Sequence, residues 1–351
     1  MISEILISGL ASIGIRGDFR KNYPVIWDET LTQLKFIPVA YSQAEIDFQL
    51  SYLLGNGECC QDISLILYHD NRPCGVWPLC YKSDKSRSML NSFFHYGQFM
   101  LPPLFVSGLP DKSKKSMTKK CLNLIDELCK SLRIKKLESV ESFIGELGLS
   151  HWHNQSLSLG ANASLNYELF IDLNLSLQNI KAKFRKSYKS LINEGMRTWK
   201  VGVLSSEGNP DLWESFRMLH FRVAGKATRS LETWNLQYQA IIEGNAFLVY
   251  LLNDEEELVG GGYFAVTRDQ GVYNVGVFDR TLFDKPLGHT IQYRAIQEMQ
   301  KRGLRWYKIG IRRLASRQDE TKKLAISEFI EGFATHLFPQ FHLEHNIKPI
   351  S

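Results

Sequence analysis

Nowhere in its 351 residues does this chain carry about 18 or more consecutive uncharged apolar residues, the length a membrane-spanning helix needs. The opening MISEILISGLASIGI is apolar, but Glu4 stands where a secretory leader would be positive, so no leader is read from it. Cysteine is scarce. Cys59, Cys60, Cys74, Cys80, Cys121 and Cys129 are all six of them, and none are spaced as CxxC. That excludes the common zinc spacing and the disulfide framework of small secreted domains, and leaves reduced, mostly buried thiols as the expectation. An excess of one charge is lacking too: 42 Lys and Arg against 37 Asp and Glu leave a formal +5. So mild an excess admits a nucleotide, tRNA or phospholipid partner without requiring one. The expectation is a soluble cytoplasmic protein with no transmembrane segment, peripheral membrane contact staying open.

Apolar and aromatic residues, by contrast, are plentiful. The chain is 44% hydrophobic, with 20 Phe, 14 Tyr and 7 Trp, enough to core two ordinary domains. Residues 63–81 (ISLILYHDNRPCGVWPLCY) read as a hairpin turning at HDNRP, and SFFHYGQFMLPPLFV follows as strand and loop. Leu122, Ile125, Leu128, Cys129 and Leu132 recur at helical spacing, and KKLESVES then reads as a strand.

The second half repeats this order. Three strand-like runs fill 247–278, and a helix runs from about His289 to Arg302 with Ile291, Ala295, Ile296 and Met299 on its apolar face. Gly303 stands where a glycine ends a helix. Adding WKVGVL, the helices PDLWESFRMLHFRV and LETWNLQYQAIIEG, then LRWYKI, ETKKLAISEFIEGFA and THLFPQFHL, the order is β-α-α-β-β-β-α-β-α-β. The fold class expected is mixed α/β: two related units, 1–165 and 166–351, each a mixed central sheet flanked by helices, joined around 154–166. Between them SLQNIKAKFRKSYKSLINEG reads as one helix from Ser176 to Gly195, burying Ile180, Phe184, Tyr188, Leu191 and Ile192. Lys181, Lys183, Arg185, Lys186 and Lys189 fill its other face, either as a solvated surface or as a dock for phosphates.

IKAKFRKSYKSLINEG, GHTIQYRAIQEMQKRGLRWYKIG and ISEFIEGFATHLFP, in that order, resemble the FemAB-like transferases. These include the peptidoglycan interpeptide-bridge aminoacyltransferases and the related BioF2-like acetyltransferase domains. The resemblance is strong over about 166–342 and rests on topology alone before that. It implies two tandem GNAT-type (N-acetyltransferase-like) domains. It also implies transfer of an acyl or aminoacyl group, from acyl-CoA or aminoacyl-tRNA as donor substrate, to an amine of a cell-envelope glycan or peptidoglycan precursor. No bound cofactor or metal is implied, and His151 and His153 form an HxH without acidic ligands beside it in the sequence. Many relatives carry an acidic residue in the strand before Gly310, where this chain reads Tyr307-Lys308-Ile309-Gly310; a cation there would reverse the local field.

Such chemistry needs a neutral amine, donors for an oxyanion, and a loop at a helix start for the donor's phosphates. The oxyanion donors are expected at a strand splay in YNVGVFD (273–279), with Gly276 admitting a ligand backbone. The phosphate loop is expected in DKPLGH, with Lys285 and Gly288, and Tyr293 on the same helix; the other reading is a plain structural turn. His289, Asp279 and His220 are the candidate bases, His289 only if it faces the cleft. Arg222, Lys226, Arg229 and Lys308 are candidates to bind an anionic acceptor such as a nucleotide-linked sugar. The competing expectation is a non-catalytic nucleotide-sugar or RNA-binding protein that keeps the tandem fold.

Overall fold

The computed structural model describes residues 2–83, 88–92, 97–145, 148–313 and 321–347. Two compact units divide the chain: residues up to Asn166 together with those from Pro339 on, and Tyr167–Phe338.

In chain order the first unit contains α1 (Ile2–Ser12), β1 (Arg16–Phe19), α2 (Pro24–Thr32), α3 (Gln43–Gly55), β2 (Cys60–Asp62), β3 (Leu65–His69) and β4 (Arg72–Trp77). It continues with β5 (Cys80–Ser83), β6 (Ser88–Asn91), β7 (Leu104–Phe105), α4 (Asp111–Ser131), β8 (Lys136–Glu141) and α5 (His151–Ser158). One sheet has the order β1-β3-β4-β7 and a smaller one β2-β5-β6. The strand read in SFFHYGQFMLPPLFV falls partly on 93–96, outside the described residues; β7 forms its far end. The hairpin at 63–81 is β3–β4, turning through Asp70 and Asn71, both at positive φ. Helix α4 buries Cys121, Leu122, Leu124, Ile125, Leu128 and Cys129 against α1 and the sheet, as its spacing predicts.

The stretch 154–166 is no linker. α5 occupies its start, capped by Ser150, and β9 (Asn162–Asp172) its end. The second unit then contains α6 (Leu177–Lys183), α7 (Lys186–Thr198), β10 (Lys200–Leu204), α8 (Pro210–Ala224), α9 (Leu231–Ile242), β11 (Ala246–Leu252) and β12 (Leu258–Val266). After these come β13 (Gln270–Phe278), α10 (Leu287–Lys301), β14 (Trp306–Arg312), α11 (Thr321–Glu331) and β15 (His336–Asn346). From β10 onward the order is the one read from the sequence. The strands run β10-β11-β12-β13-β14-β9 across the unit's sheet.

The strand that follows each unit's last helix pairs with a strand of the other unit. β9, which follows α5, pairs antiparallel with β14, whereas β15, which follows α11, pairs antiparallel with β8 from Phe341↔Glu141 to Asn346↔Lys136. The stretch Pro339–Ile347 therefore packs in the first unit, not in the second where the sequence reading put it.

The helix expected over 176–195 is two helices. Phe184 and Arg185 are extended (ψ 153° and 135°) because the Phe184 ring meets Phe333 at 5.2 Å and the Arg185 N–H bonds to Gly332 O at 2.8 Å. Nor does Gly195 end the helix, since α7 runs on to Thr198.

Glycines let both faces of the sheet be covered closely. A Cβ on Gly261 would stand 2.9 Å from Phe216 of α8, and one on Gly262 2.7 Å from Ile291 of α10. Gly303, at φ +76°, closes α10, and Ile291, Ala295, Ile296 and Met299 are fully buried beneath it.

Candidate active site

In the second unit β13 and β14 run parallel, paired at Gln270↔Trp306, Gly271↔Tyr307 and Val272↔Lys308. Beyond that rung they share no ladder pair among the described residues, although β13 continues to Phe278 and β14 to Arg312. On its other side β13 carries a bulge: Tyr263 faces Val275 but Phe264 faces Tyr273, leaving Asn274 extra and bending the strand. A V therefore opens at Tyr273, inside the YNVGVFD stretch. Backbone groups along that edge of β13 are unused by the ladder, and an oxyanion needs such donors.

Tyr273, Tyr307 and Gln292 of α10 lie at the base of the V. Tyr307 Oη donates to Gln292 Oε1, both residues being buried. Burial pushes the Tyr273 hydroxyl above its ordinary pKa, with the Gln292 amide pulling the other way, and burial raises Tyr307 too. Both phenols hold their protons at neutral pH. A Cβ on Gly276 would fall 1.8 Å from Tyr273 Oη, so the room this glycine leaves is filled by the chain's own tyrosine.

Helix α10 starts beside this edge with Pro286 at its cap, where no side chain accepts from the first amides. Ser176, Asn209 and Ser230 do cap α6, α8 and α9. Gly288 lies in the first turn, where a Cβ would stand 3.0 Å from Phe329 Cζ and 3.7 Å from Phe278 Cζ. Lys285 is exposed in the preceding loop, 3.7 Å from Asp284. Tyr293 faces away toward α6, with Lys181 Nζ 5.0 Å from its ring centre.

The candidate bases are engaged elsewhere. His289 is packed edge-on between Tyr188 (4.5 Å) and Phe329 (5.0 Å), turned from the β13 edge. Burial first, and then the Arg185 charge, bring its pKa down to about 4, and its Nε2 is buried without a partner among the described residues. Asp279 caps the turn after β13, accepting from Thr281 N (2.9 Å) and Oγ1 (2.7 Å), which holds its carboxyl below the usual range. His220 stands edge-on to Trp234 at 5.1 Å, its pKa lowered by burial and by Arg229. The Arg229 guanidinium lies over that same Trp234 ring at 3.5 Å. Arg222 reaches Asp279 electrostatically, and Lys226 is exposed in the loop after α8. Arg222 and Asp279 thus meet at the end of β13, and His220 and Arg229 meet at Trp234, while Lys308 joins neither pair. Lys308 Nζ is paired with Glu168 of β9, the two side chains being 11% and 0% exposed. The carboxylate beside it offsets the cation, so the expected field reversal does not arise.

In the first unit the HxH splits. His151 bonds Asp111 at 2.8 Å, and His153 turns inward to Glu141, 3.4 Å away. Among the described residues no three His, Cys, Asp or Glu side chains converge as metal ligands, and no helix is long and apolar enough to cross a membrane. Burial raises the Glu141 carboxyl from 4.5 to about 7. Between those values the folded chain holds a proton the unfolded chain has lost, so this group's contribution to stability falls as pH rises toward 7. Glu141→Gln should gain about 3 kcal/mol over wild type at pH 8 and little near pH 4.5. His153, lowered by burial, gives the opposite slope below 6.5 in both proteins. Urea titrations at the two pH values check this; an equal gain at both would mean Glu141 is ionised throughout.

Sequence reasoning missed Tyr273, Gln292, Tyr307 and Glu168. Only Glu168 left a signal: a carboxylate between Tyr167 and the apolar run Leu169-Phe170-Ile171 calls for a buried partner.

No family model matches the sequence, and no curated protein does. Solved structures match along nearly the whole chain. FemX is 12% identical with a TM-score of 0.67, covering 93% of this chain and 96% of its own. The C-terminal domain of a putative lysylphosphatidylglycerol synthetase from Agrobacterium fabrum is 10% identical with a TM-score of 0.57, covering 91% and 90%. A tandem GNAT protein from the clavulanic acid biosynthesis pathway is 10% identical with a TM-score of 0.51, covering 96% and 100%. The fold of this chain is therefore the tandem GNAT-like fold, two mixed α/β units in one polypeptide.

Proposed function

We propose that the chain is an N-acyltransferase, moving an acyl or aminoacyl group from acyl-CoA or aminoacyl-tRNA to an amine of a cell-envelope glycan or peptidoglycan precursor. The observation that carries this reading is the divergence of β13 from β14 beside the uncapped start of α10. An extended ester or thioester arm would lie along the free edge of β13, with its phosphates at Gly288 and Lys285. The FemX and lysylphosphatidylglycerol synthetase folds support an acyl-transfer role by analogy of fold.

In the reaction a neutral amine attacks the carbonyl carbon, the oxyanion is held by β13 amides, and the C–S or C–O bond then breaks. Tyr273, protonated at the base of the V, is the residue to give the leaving group its proton. His289 at about 4 and the capping Asp279 are both poorly tuned to remove the ammonium proton at neutral pH. That proton passes through water to the phenolate that Tyr273 becomes on protonating the leaving group, and positioning supplies most of the rate. The ring packing of His289 and His220 and the capping role of Asp279 also favour the second reading, a binding protein that holds a nucleotide-sugar or RNA without turnover.

Melting the protein with acetyl-CoA, longer acyl-CoAs and charged tRNA separates the two readings, followed by assay of thiol or tRNA release on adding amino-sugar acceptors. A donor at about 100 times its Kd adds roughly 2.7 kcal/mol, a shift of several degrees. Gly288→Asp, which sets a carboxylate at the helix start, should weaken donor binding at least about tenfold, a loss of about 1.4 kcal/mol. Donor affinity untouched by that change would sink the phosphate assignment, and binding without release would favour the second reading.

A further inference from the structure

On the basic stretch that the sequence singles out, Lys181, Arg185 and Lys189 are held by neutral oxygens of the fold, while Lys183 and Lys186 are exposed. Lys181 bonds Asn193 Oδ1 at 2.7 Å, Arg185 bonds Glu328 O at 3.0 Å, and Lys189 bonds Ala182 O at 3.1 Å. A second basic face lies on α4 of the first unit. Its first half carries Lys112, Lys114, Lys115, Lys119 and Lys120 against a single Asp111, which is held by His151. Lys112, Lys115 and Lys119 follow i, i+3, i+7 spacing and are exposed, opposite the buried row Met117, Cys121, Leu124 and Leu128. Among the described residues none of these three has an acidic partner. The exposed Arg72 adjoins them, because His69, its ladder partner, contacts Ser113 Oγ at 3.1 Å.

Folding alone does not explain this placement. The start of a helix is the positive end of its dipole, where acids stabilise and cations do the reverse. α3, α8 and α9 obey that rule with Glu45, Asp211 and Glu232 in their first turns. α4 has Asp111 in its first turn as well, but follows it at once with Lys112, Lys114 and Lys115, and no large apolar residue is exposed anywhere along that helix. A surface that binds by insertion into lipid would need one.

We infer that the α4 face binds the sugar-phosphate backbone of a nucleic acid. Lys112 to Lys119 spans about 10 Å of helix. That matches about three phosphates of one duplex strand at roughly 3.4 Å each along the axis. Contacts of this kind read charge and not sequence, and each adds about 0.7–0.9 to the salt slope. The inference is independent of the donor's identity and of turnover.

The test is binding of a short RNA hairpin to the full chain between 50 and 200 mM salt, beside the K112Q/K115Q/K119Q variant. Wild-type affinity should fall at least roughly 30-fold over that range, and the variant's slope should be smaller by about 2–3. A K183Q/K186Q variant on the α6–α7 face should behave as wild type. The substituted lysines are exposed, so equal melting temperatures will show that each variant is folded. Thiol release from a CoA donor, measured in parallel, should be unchanged by the α4 substitutions, which keeps this inference separable from the transferase reading. No hairpin binding at 50 mM salt, the same slope in the α4 variant, or binding to anionic phosphatidylglycerol vesicles in place of the hairpin would overturn it.

Discussion

Replacing Glu168 by Gln should cost about 3–5 kcal/mol of unfolding free energy, because it leaves the Lys308 ammonium buried opposite a neutral amide. The two side chains are 0% and 11% exposed, so water can do little to solvate the orphaned charge. The reciprocal change, Lys308→Met, should be as damaging for the opposite reason, since a fully buried carboxylate then loses its cation. Removing both charges tells these costs from a general intolerance of the site: Glu168→Gln/Lys308→Met should recover most of the loss, as apolar or neutral replacements of buried pairs commonly do. Urea denaturation of the four proteins measures it. If either single change cost less than about 1 kcal/mol, as solvated surface pairs do, the pair would be solvent-screened and Lys308 free to meet an acceptor.

That pair also marks how far the sequence can be read. Strand and helix periodicities are local, so β10 through β15 and the apolar face of α10 followed from residues a few positions apart. The splay in YNVGVFD is expected from the family resemblance alone, and the bulge at Asn274 that bends β13 leaves no local signal in the sequence. The partner of Lys308 lies 140 positions away and is brought to it by β9–β14 pairing, which no local pattern encodes. The orientation of His289, left open by the sequence, is not legible for a similar reason. Helical spacing puts it at the start of α10, but its ring is turned by Tyr188 and Phe329, which arrive from α7 and α11. The break at Phe184 escaped notice because Ile180, Phe184, Tyr188 and Ile192 keep helical spacing across it. The first 62 residues, with three helices and two short strands, carried no pattern strong enough to read.

Under the proposed function, Gly195→Ala should impair activity more than any change to the candidate bases, although Gly195 lies outside the proposed donor site. α7 presses this glycine onto the start of α10, where a Cβ would fall 1.9 Å from Thr290 Oγ1, 2.9 Å from Pro286 O and 3.2 Å from Pro286 Cγ. Two of these three atoms belong to the residue that caps α10. Thr290 Oγ1 is itself bonded to Pro286 O at 2.6 Å and cannot simply swing aside without releasing that carbonyl. One added methyl therefore moves the whole first turn, including Gly288, and costs about 1–3 kcal/mol of stability in overpacking. Because the amides proposed to hold donor phosphates move with it, the donor KM should rise at least about tenfold while the acceptor KM stays near wild type. Gly195→Ala/Thr290→Ala removes the hydroxyl clash but leaves the 2.9 Å approach to Pro286 O, so it should regain stability in part and donor affinity in smaller part. Restored stability without restored donor affinity would tie donor binding to the position of the helix start. Full donor affinity in Gly195→Ala would mean that phosphates bind somewhere other than the first turn of α10.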